Sequence, residues 1–257
     1  MLNVVATLLI WTPKFSKLLG HTNLLRVFLA LTLRKEKVCL NFRGFPLMLR
    51  LSKPDFKVFF SIYGHNEFQF IQSILQKNVE KKVLIIDGGA FNGLSSRFLC
   101  ELGPHVEVLA IEPSAENFGY LQFNTRHCQN LSTFNRALAS NEDQLDLYDR
   151  GTGSWGYSLI PSSVETPYEK LNKTKGITIL ELVHGYSDYY KILKLDIEGG
   201  EYDLLLDSRP WIDHFDIIFA ELHPQVIPEI SALWYQATSD MQQVYLGTEK
   251  VCAVRHM

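Results

Sequence analysis

From residue 83 onward, four short apolar runs alternate with segments whose apolar residues recur at helical spacing. The runs are VLII at 83–86, VEVLAI at 106–111, KILKLDI at 191–197 and DIIFAEL at 216–222. Runs of this length with little alternation are typical of strands buried on both faces of a parallel sheet. The pattern therefore predicts a doubly wound α/β fold with a mostly parallel sheet. Two last strands, QQVYLG and KVCAVR, with a turn at Gly247 and Thr248, predict a closing antiparallel hairpin.

The N-terminal part of the chain has a different pattern. Residues 24–37, LLRVFLALTLRKEK, predict an apolar helix with a basic C-terminal end, which suits the helix dipole. Residues 38–63 contain short β-prone pieces separated by turns and predict a hairpin or a pair of short strands. A helix is predicted over 65–78. We therefore expect an N-terminal extension of helices and short strands over residues 1–78 and a core domain over residues 79–257.

The distribution of charge and the spacing of the cysteines limit which partners and sites are expected. Residues 1–57 hold ten Lys and Arg and two acids, a net charge of +8, whereas the whole chain carries −3, so the remainder carries −11. Such a basic extension can contact a membrane surface, a nucleic acid or the acidic body of the protein itself. Residues 2–11 are apolar but too short to cross a bilayer, and they lack the pattern of a signal peptide. The four cysteines are scattered, which predicts neither a zinc site nor a disulfide framework and favours a reducing, cytoplasmic location.

The first apolar run leads into a glycine-rich turn, DGGAFNG at 87–93. It is not a dinucleotide fingerprint, because Ala90 stands where that motif needs its second glycine, and it lacks the Gly-Lys-Ser/Thr of a phosphate-binding loop. The pattern D-x-G-A-x-x-G resembles the first motif of class I S-adenosylmethionine (SAM) methyltransferases. SAM has an α-amino group and no pyrophosphate, and Asp87 is expected to hold that amino group, directly or through water.

Acidic and polar residues at the ends of the next strands extend this site. Glu112 ends the second strand, 25 positions after Asp87, where an acid can accept hydrogen bonds from the ribose hydroxyls of an adenosine. The third strand ends near Asn135, which could read the adenine edge, as could the main chain at Arg136 and Ala137. The predicted SAM site comprises Asp87, Gly89, Ala90, Phe91, Gly93, Glu112, Asn135 and Ala137.

A second group of chemically active side chains follows the last two parallel strands. Ligands of open α/β sheets bind beyond the carboxyl ends of the strands, and four such residues lie there: Asp196, Glu198, Glu221 and His223. We expect Asp196 or His223 to act as general base, with Glu198 and Glu221 positioning the acceptor. The alternative is that the same four residues hold Mg²⁺ or another divalent ion. Lys194, inside the strand, is expected to be a solvated or packing residue.

One long segment between the two groups is rich in Gly, Ser and Thr. It spans residues 151–167, GTGSWGYSLIPSSVETP, and contains Trp155 and Tyr157. Long loops in compact domains are usually functional or disordered. A lid or acceptor-binding loop is therefore expected, and a plain connection is the alternative.

Taken together, these segments resemble the FkbM family of methyltransferases. The resemblance is carried by IDGGAFNG, AIEPS, FNRALAS, KLDIEGGEYDLL and IIFAELH, in family order over roughly residues 83–223. The D-I-E-G-x-E segment is the most specific of them. Residues 38–78 resemble the family's leading segment more loosely, residues 1–37 have no counterpart, and Gly88 stands where aliphatic residues are commoner. The resemblance implies a Rossmann-like class I fold and SAM-dependent O-methylation of a hydroxyl, on substrates that range from polyketides to sugars.

Two other functional classes use the same sheet. A nicotinamide-dependent oxidoreductase is one, although Ala90 disfavours it. A non-catalytic SAM-fold scaffold whose basic extension recruits a partner is the other. The expected partner is a small-molecule or glycan acceptor rather than a nucleic acid, with peripheral membrane contact through residues 1–37 as a further interpretation. The sequence does not determine the oligomeric state.

Overall fold

The computed structural model describes residues 12–51, 53–76, 81–151, 153–161, 168–245 and 249–255. The elements of the N-terminal part are α1 (Thr12–Thr32), β1 (Lys37–Phe42), β2 (Phe45–Arg50), α2 (Lys53–Phe59), a π-helical turn (Phe60–Gly64) and α3 (Gln69–Leu75). The next elements are β3 (Val83–Gly88), α4 (Leu94–Cys100), β4 (Val106–Ile111), α5 (Ala115–Thr125), β5 (Leu131–Phe134), β6 (Ala137–Leu138), β7 (Gln144–Asp149), β8 (Tyr157–Ser158) and β9 (Glu169–Ile177). The last are α6 (Ile179–Val183), β10 (Tyr190–Leu195), α7 (Glu201–Leu206), α8 (Arg209–Ile212), β11 (Ile217–Glu221), α9 (Ile230–Ala237), β12 (Gln242–Tyr245) and β13 (Lys250–Val254).

A seven-stranded sheet with the order β12-β13-β11-β10-β3-β4-β5 forms the centre of the described structure. Strand β3 pairs in parallel with β4 and β10, β4 with β5, and β10 with β11. Strand β13 runs antiparallel to both of its neighbours, β11 and β12. All residues of β3 and β10 are buried, as expected for central strands with both faces covered. The predicted mostly parallel sheet and its closing hairpin are confirmed, while the hairpin turn at Gly247 and Thr248 lies outside the described residues.

A smaller sheet with the order β6-β9-β7-β8 lies beside the main one. The segment 131–140, predicted as the third strand and its exit, is divided between the two sheets. Residues 131–134 pair with β4, and Ala137 and Leu138 pair with Gly176 and Ile177 of β9. The segment EDQLDLYDR, in which polar and apolar residues alternate, contains β7, which pairs antiparallel with β9. The chain therefore leaves the central sheet at the point where the site was expected.

The N-terminal part contains one hairpin and more helix than expected. Strands β1 and β2 pair antiparallel from Lys37 opposite Arg50 to Phe42 opposite Phe45, which confirms the predicted hairpin. The β-prone prediction is wrong for residues 53–63, which form α2 and most of the π-helical turn. Phe56, Phe59 and Phe60 of this segment are buried in the core. Tertiary packing of these aromatic side chains on a helix overrides their β propensity.

The extension packs onto the core domain through apolar and polar contacts. Leu40 and Phe59 belong to the same buried cluster as Val83 and Ile85 of the central sheet. Arg50, itself buried, binds Asp55 at 3.0 Å and also contacts residues of α5. At least part of the basic extension therefore contacts the acidic body, one of the three interpretations of its charge. The division of the chain at residue 78 stays a prediction.

Two further expectations about the chain have different outcomes. The structure joins Cys100 and Cys128 in a disulfide, which the scattered spacing of the four cysteines did not predict. The bond links the C-terminal end of α4 to the segment after α5, two positions that no local motif relates.

Residues 2–11 lie outside the described part of the chain. Among the described helices, none combines the length and hydropathy needed to cross a bilayer.

Candidate active site

A cavity of about 680 Å³ lies at the carboxyl ends of the parallel strands. Gly89, Ala90 and Phe91 of the loop after β3 form one part of its wall, and the segments after β4, β10 and β11 form others. Residues of the N-terminal extension, including Ser61 and Glu67, also line it. Its size and position are those of a small-molecule site in an open α/β sheet.

The glycine-rich loop after β3 approaches the end of β10 closely. Gly89 has φ 75°, and a Cβ added there would lie 1.7 Å from the main-chain oxygen of Asp196. Gly93, with φ 81°, packs in the same way against Leu121. Any other residue at Gly89 would push the loop away from β10. The glycines thus keep the main chain of the loop against the floor of the cavity.

Glu112 lines the cavity at the end of β4, as predicted. One carboxylate oxygen accepts a hydrogen bond from the Phe91 amide at 2.9 Å, and the other accepts from the Ser114 amide at 3.0 Å and from Asn117 at 3.3 Å. Burial raises the pKa of Glu112 to about 7, although these hydrogen bonds oppose the shift. The side chain is therefore fixed against the glycine loop, in a position where it can accept hydrogen bonds from ribose hydroxyls.

Asp87 lies below the cavity rather than on its wall. The carboxylate is fully buried and accepts hydrogen bonds from the hydroxyls of Ser95 and Ser96, both at 2.6 Å. Its other oxygen lies 2.9 Å from the Nζ of Lys194. Direct contact between Asp87 and an amino group in the cavity does not fit this arrangement. Of the two alternatives for Lys194, a solvated side chain is wrong, because the residue is packed in the interior.

Sequence reasoning missed the place of Lys194 beside the cavity. It is buried and lines the cavity, and its Nζ donates to the main-chain oxygens of Gly88 and Gly89, both at 3.3 Å. Burial opposes its charge, but Asp87 and Asp196 outweigh that effect and raise the pKa of Lys194 above its usual value. Lys194 therefore joins the glycine loop, the buried Asp87 and the cavity.

Of the two residues expected near the adenine, one lines the cavity and the other does not. Ala137 is buried and lines the cavity as expected. The side chain of Asn135 instead donates to the main-chain oxygens of Glu112 at 2.9 Å and Pro113 at 3.1 Å, away from the cavity wall. The interpretation that the Asn135 side chain reads a ligand does not fit, because its amide already ties β5 to the end of β4.

The second predicted group of residues faces the same cavity. Asp196, Glu198 and His223 bring ligand atoms within 4.8 Å of one another, and Glu221 also lines the wall. Glu198, with φ 56°, forms a salt bridge with Arg150, and its carboxylate lies 3.7 Å from His223 Nε2. The other imidazole nitrogen of His223 lies 3.5 Å from the buried Glu201.

The protonation of this group decides its chemistry. Burial of His223 opposes a positive charge, but Glu201, Glu198 and Asp196 outweigh it and raise the pKa of His223 to about 9. Burial raises the pKa of Glu198 to about 7, with His223 and Arg150 opposing that shift. At neutral pH, His223 therefore holds its proton and cannot accept another, so the expectation of His223 as base does not fit.

The same charges affect whether this group could hold a divalent ion, the alternative given by the sequence. Asp196, Glu198 and His223 offer three donors, but a metal ligand must be a neutral imidazole. His223 is held in its charged form, and Arg150 already neutralises Glu198. A divalent ion would have to displace both of these pairings. These existing pairings oppose a resident metal ion at the three donors.

A third charged group comes from three distant parts of the chain. The ammonium of Lys250 on β13 forms a salt bridge with Glu67 of the extension and lies 3.5 Å from Glu221 on β11. Burial and the nearby Asp196 raise the pKa of Glu221. Nothing in the sequence relates Glu67 to Lys250. Trp155, Tyr157 and Leu159 of the 151–167 segment also line the cavity, while Thr152 and residues 162–167 lie outside the described structure.

Comparison with known proteins identifies the family. The model of the methyltransferase FkbM domain matches residues 87–246, more than half of the chain. The chain belongs to the FkbM methyltransferase family. This FkbM protein is thus a SAM-dependent methyltransferase, and the resemblance read from its motifs is confirmed. A comparison with curated proteins gives no match.

Solved structures similar to this FkbM protein are methyltransferases of low sequence identity. A SAM-dependent methyltransferase from Agrobacterium tumefaciens is 10% identical, with a TM-score of 0.48, over 85% of this chain and 69% of that one. Magnesium protoporphyrin IX methyltransferase from Synechocystis PCC 6803, solved with bound SAM, is 13% identical, with a TM-score of 0.40, over 75% and 80%. An rRNA methylase from Streptococcus thermophilus is 11% identical, with a TM-score of 0.41, over 73% and 95%.

Proposed function

We propose that this FkbM methyltransferase transfers the methyl group of SAM to a hydroxyl oxygen of a sugar, polyketide or similar small molecule. One observation carries the proposal. Glu112 and Asp196 line a single cavity, and the glycine loop between them reaches the main chain of Asp196 itself. A donor held by the loop and Glu112 would therefore lie beside the carboxylate of Asp196.

The residues on the donor side fit SAM. Gly89 lets the loop lie against Asp196, since a Cβ there would meet the main-chain oxygen of that residue, and the loop itself lines the cavity. Glu112 offers a carboxylate for the ribose hydroxyls, and Ala137 offers an apolar surface near the expected adenine. Bound SAM supplies an electrophilic methyl group on a sulfonium.

Asp196 is the residue we propose as general base. Its side chain is about one-third exposed to the cavity and lies 3.6 Å from the Nζ of Lys194. As the acceptor oxygen bonds to the methyl carbon and the carbon–sulfur bond breaks, the hydroxyl proton passes to Asp196, leaving S-adenosylhomocysteine. The salt bridge of Glu198 with Arg150 and its contact with His223 hold the cavity wall in place.

The rest of the wall suits an acceptor with several hydroxyls. Glu198 and Glu221 can accept hydrogen bonds from hydroxyl groups, and Lys250 can donate one. Trp155 and Tyr157 add aromatic surfaces beside these polar groups. Polar groups around an aromatic surface match the alternating polar and apolar faces of a sugar ring.

Methyl transfer from SAM with a deuterated methyl group tests the proposal. The protein is incubated with a panel of monosaccharides, glycosides and polyketides, together with amine and thiol analogues of the same compounds, and products are located by tandem mass spectrometry. We expect the label on oxygen, and expect Asp196→Asn to abolish it. Label on nitrogen, carbon or sulfur would contradict O-methylation. Binding of SAM without transfer to any acceptor would favour the scaffold alternative.

A further inference from the structure

Helix α1 carries apolar residues on two opposite faces, and the described structure covers only one of them. Leu19, Val27 and Ala30 are buried in the core. On the other side, large apolar side chains are exposed at Leu25 (58%), Phe28 (62%), Leu29 (48%) and Leu33 (66%). Their spacing of three, one and four residues places them on one helical face. We call these four residues the α1 outer face.

The α1 outer face is accompanied by positive charge. Residues 1–35 contain no Asp or Glu. Five exposed cations lie on α1 or directly after it: Lys17, Arg26, Arg34, Lys35 and Lys37. Within the described residues, no carboxylate lies within salt-bridge distance of these five. In this respect they differ from Arg43 and Arg50, which bind Glu101 and Glu116 of the protein body.

We propose that the α1 outer face lies on an anionic lipid bilayer, with its four apolar side chains at the boundary between headgroups and acyl chains. A helix with an exposed apolar face and flanking Lys and Arg binds this boundary in the plane of the membrane. The cations add attraction to anionic headgroups. This inference concerns a surface away from the cavity and does not depend on the acceptor.

Two other occupants fit the face less well. A second copy of the chain, docked through the same face, would bring two groups of five cations together with only Glu36 of each copy to offset them, and the cations would repel. A nucleic acid would be attracted by the cations, but it offers no apolar surface comparable to that of four large aliphatic and aromatic side chains. A bilayer satisfies both features of the face at once.

Vesicle flotation of the full chain tests the proposal. We expect binding to phosphatidylcholine vesicles that contain phosphatidylserine, weaker binding to phosphatidylcholine alone, and release by salt. The double variant Phe28→Gln/Leu33→Gln removes half of the apolar face, and Arg34→Gln/Lys35→Gln removes two of the cations. Each should lower the partition coefficient by at least about tenfold.

A matched control replaces two exposed leucines elsewhere, Leu180→Gln/Leu206→Gln, and should bind vesicles like the wild type. Unchanged SAM affinity and circular dichroism would show that each variant is folded. Failure of the wild type to bind anionic vesicles, or equal binding by the Phe28/Leu33 variant, would overturn the proposal. So would a dimer that this variant dissociates, or RNA binding tighter than vesicle binding.

Discussion

The two halves of the cavity are built in different ways. The donor half consists of one continuous loop, Gly89 to Gly93, and a single acid, Glu112, whose hydrogen bonds come from main-chain amides and Asn117. The acceptor half consists of five acids and four cations or imidazolium groups from five separate segments. They are Glu67, Asp196, Glu198, Glu201, Glu221, Arg150, Lys194, His223 and Lys250.

We propose that the donor half recognises a ligand that does not change, whereas the acceptor half can vary. A main-chain loop offers the same atoms whatever its side chains, which suits a donor that never changes. Charged side chains from distant segments can be exchanged one at a time without disturbing the loop. Variants in the two halves should therefore have separable effects, on donor affinity and on turnover.

The largest effect is expected for Asp196→Asn. Removal of a general base lowers turnover by about 10²- to 10⁴-fold, whereas donor affinity should stay within a few-fold because the loop and Glu112 are untouched. Turnover is measured with an acceptor identified in the deuterated-methyl assay, and SAM affinity is measured by calorimetry. Asp203→Asn, on the exposed side of α7, is the matched control. A variant that retains full turnover would remove Asp196 from the chemistry.

Lys194→Met should break the pair that joins the two halves. Asp87 would then be buried with two serine hydroxyls as its remaining side-chain partners, and breaking a buried ion pair costs about 3 to 5 kcal/mol of unfolding free energy. Urea unfolding measures the loss. Lys191→Met is the control, since Lys191 is buried on the same strand but its ammonium donates only to main-chain oxygens among the described residues. Equal losses for the two variants would show that the ion pair contributes nothing specific.

A smaller effect is expected for the pH dependence of stability. The pKa of His223 is raised in the folded state to about 9 from about 6.5 in the unfolded chain. Its stabilising contribution is present below pH 6.5 and is lost as pH rises through 9. Unfolding free energy should fall between pH 7 and 9 for the wild type by about 1 to 3 kcal/mol, and less for His223→Gln. His214→Gln, at an exposed histidine, should retain the wild-type slope; identical slopes in all three proteins would contradict the assignment.

Local sequence was sufficient to predict the central parallel strands, the glycine loop and the position of Glu112. Each depends on residues close together in the chain: a run of apolar residues, a turn that needs φ above zero, an acid that ends a strand. The same signals located Asp196, Glu198, Glu221 and His223, because parallel strands end at one edge of a sheet.

Partners from distant segments could not be predicted. Asp87 ends a strand as Glu112 does, but Lys194 from the neighbouring strand and two serines of α4 hold it beneath the cavity. The charge of His223 depends on Glu201, the first residue of α7. Nothing in the sequence relates these two residues. Glu67 and Lys250 meet only because the extension packs against the end of β13. None of these contacts can be predicted from the residues that lie next to each partner in the chain. The same holds for segment 53–63, whose aromatic side chains are buried on a helix.

The central claim is that the glycine loop and Glu112 bind the adenosyl donor in this cavity. Isothermal titration with S-adenosylhomocysteine and with NAD, on the wild type, Glu112→Gln and the control Glu107→Gln on the same strand, tests it most directly. We predict that S-adenosylhomocysteine binds the wild type and the control equally and NAD does not bind. Glu112→Gln should bind about 10- to 100-fold more weakly, as for a lost charged hydrogen bond. An unchanged dissociation constant in Glu112→Gln, or binding of NAD in place of S-adenosylhomocysteine, would contradict the account.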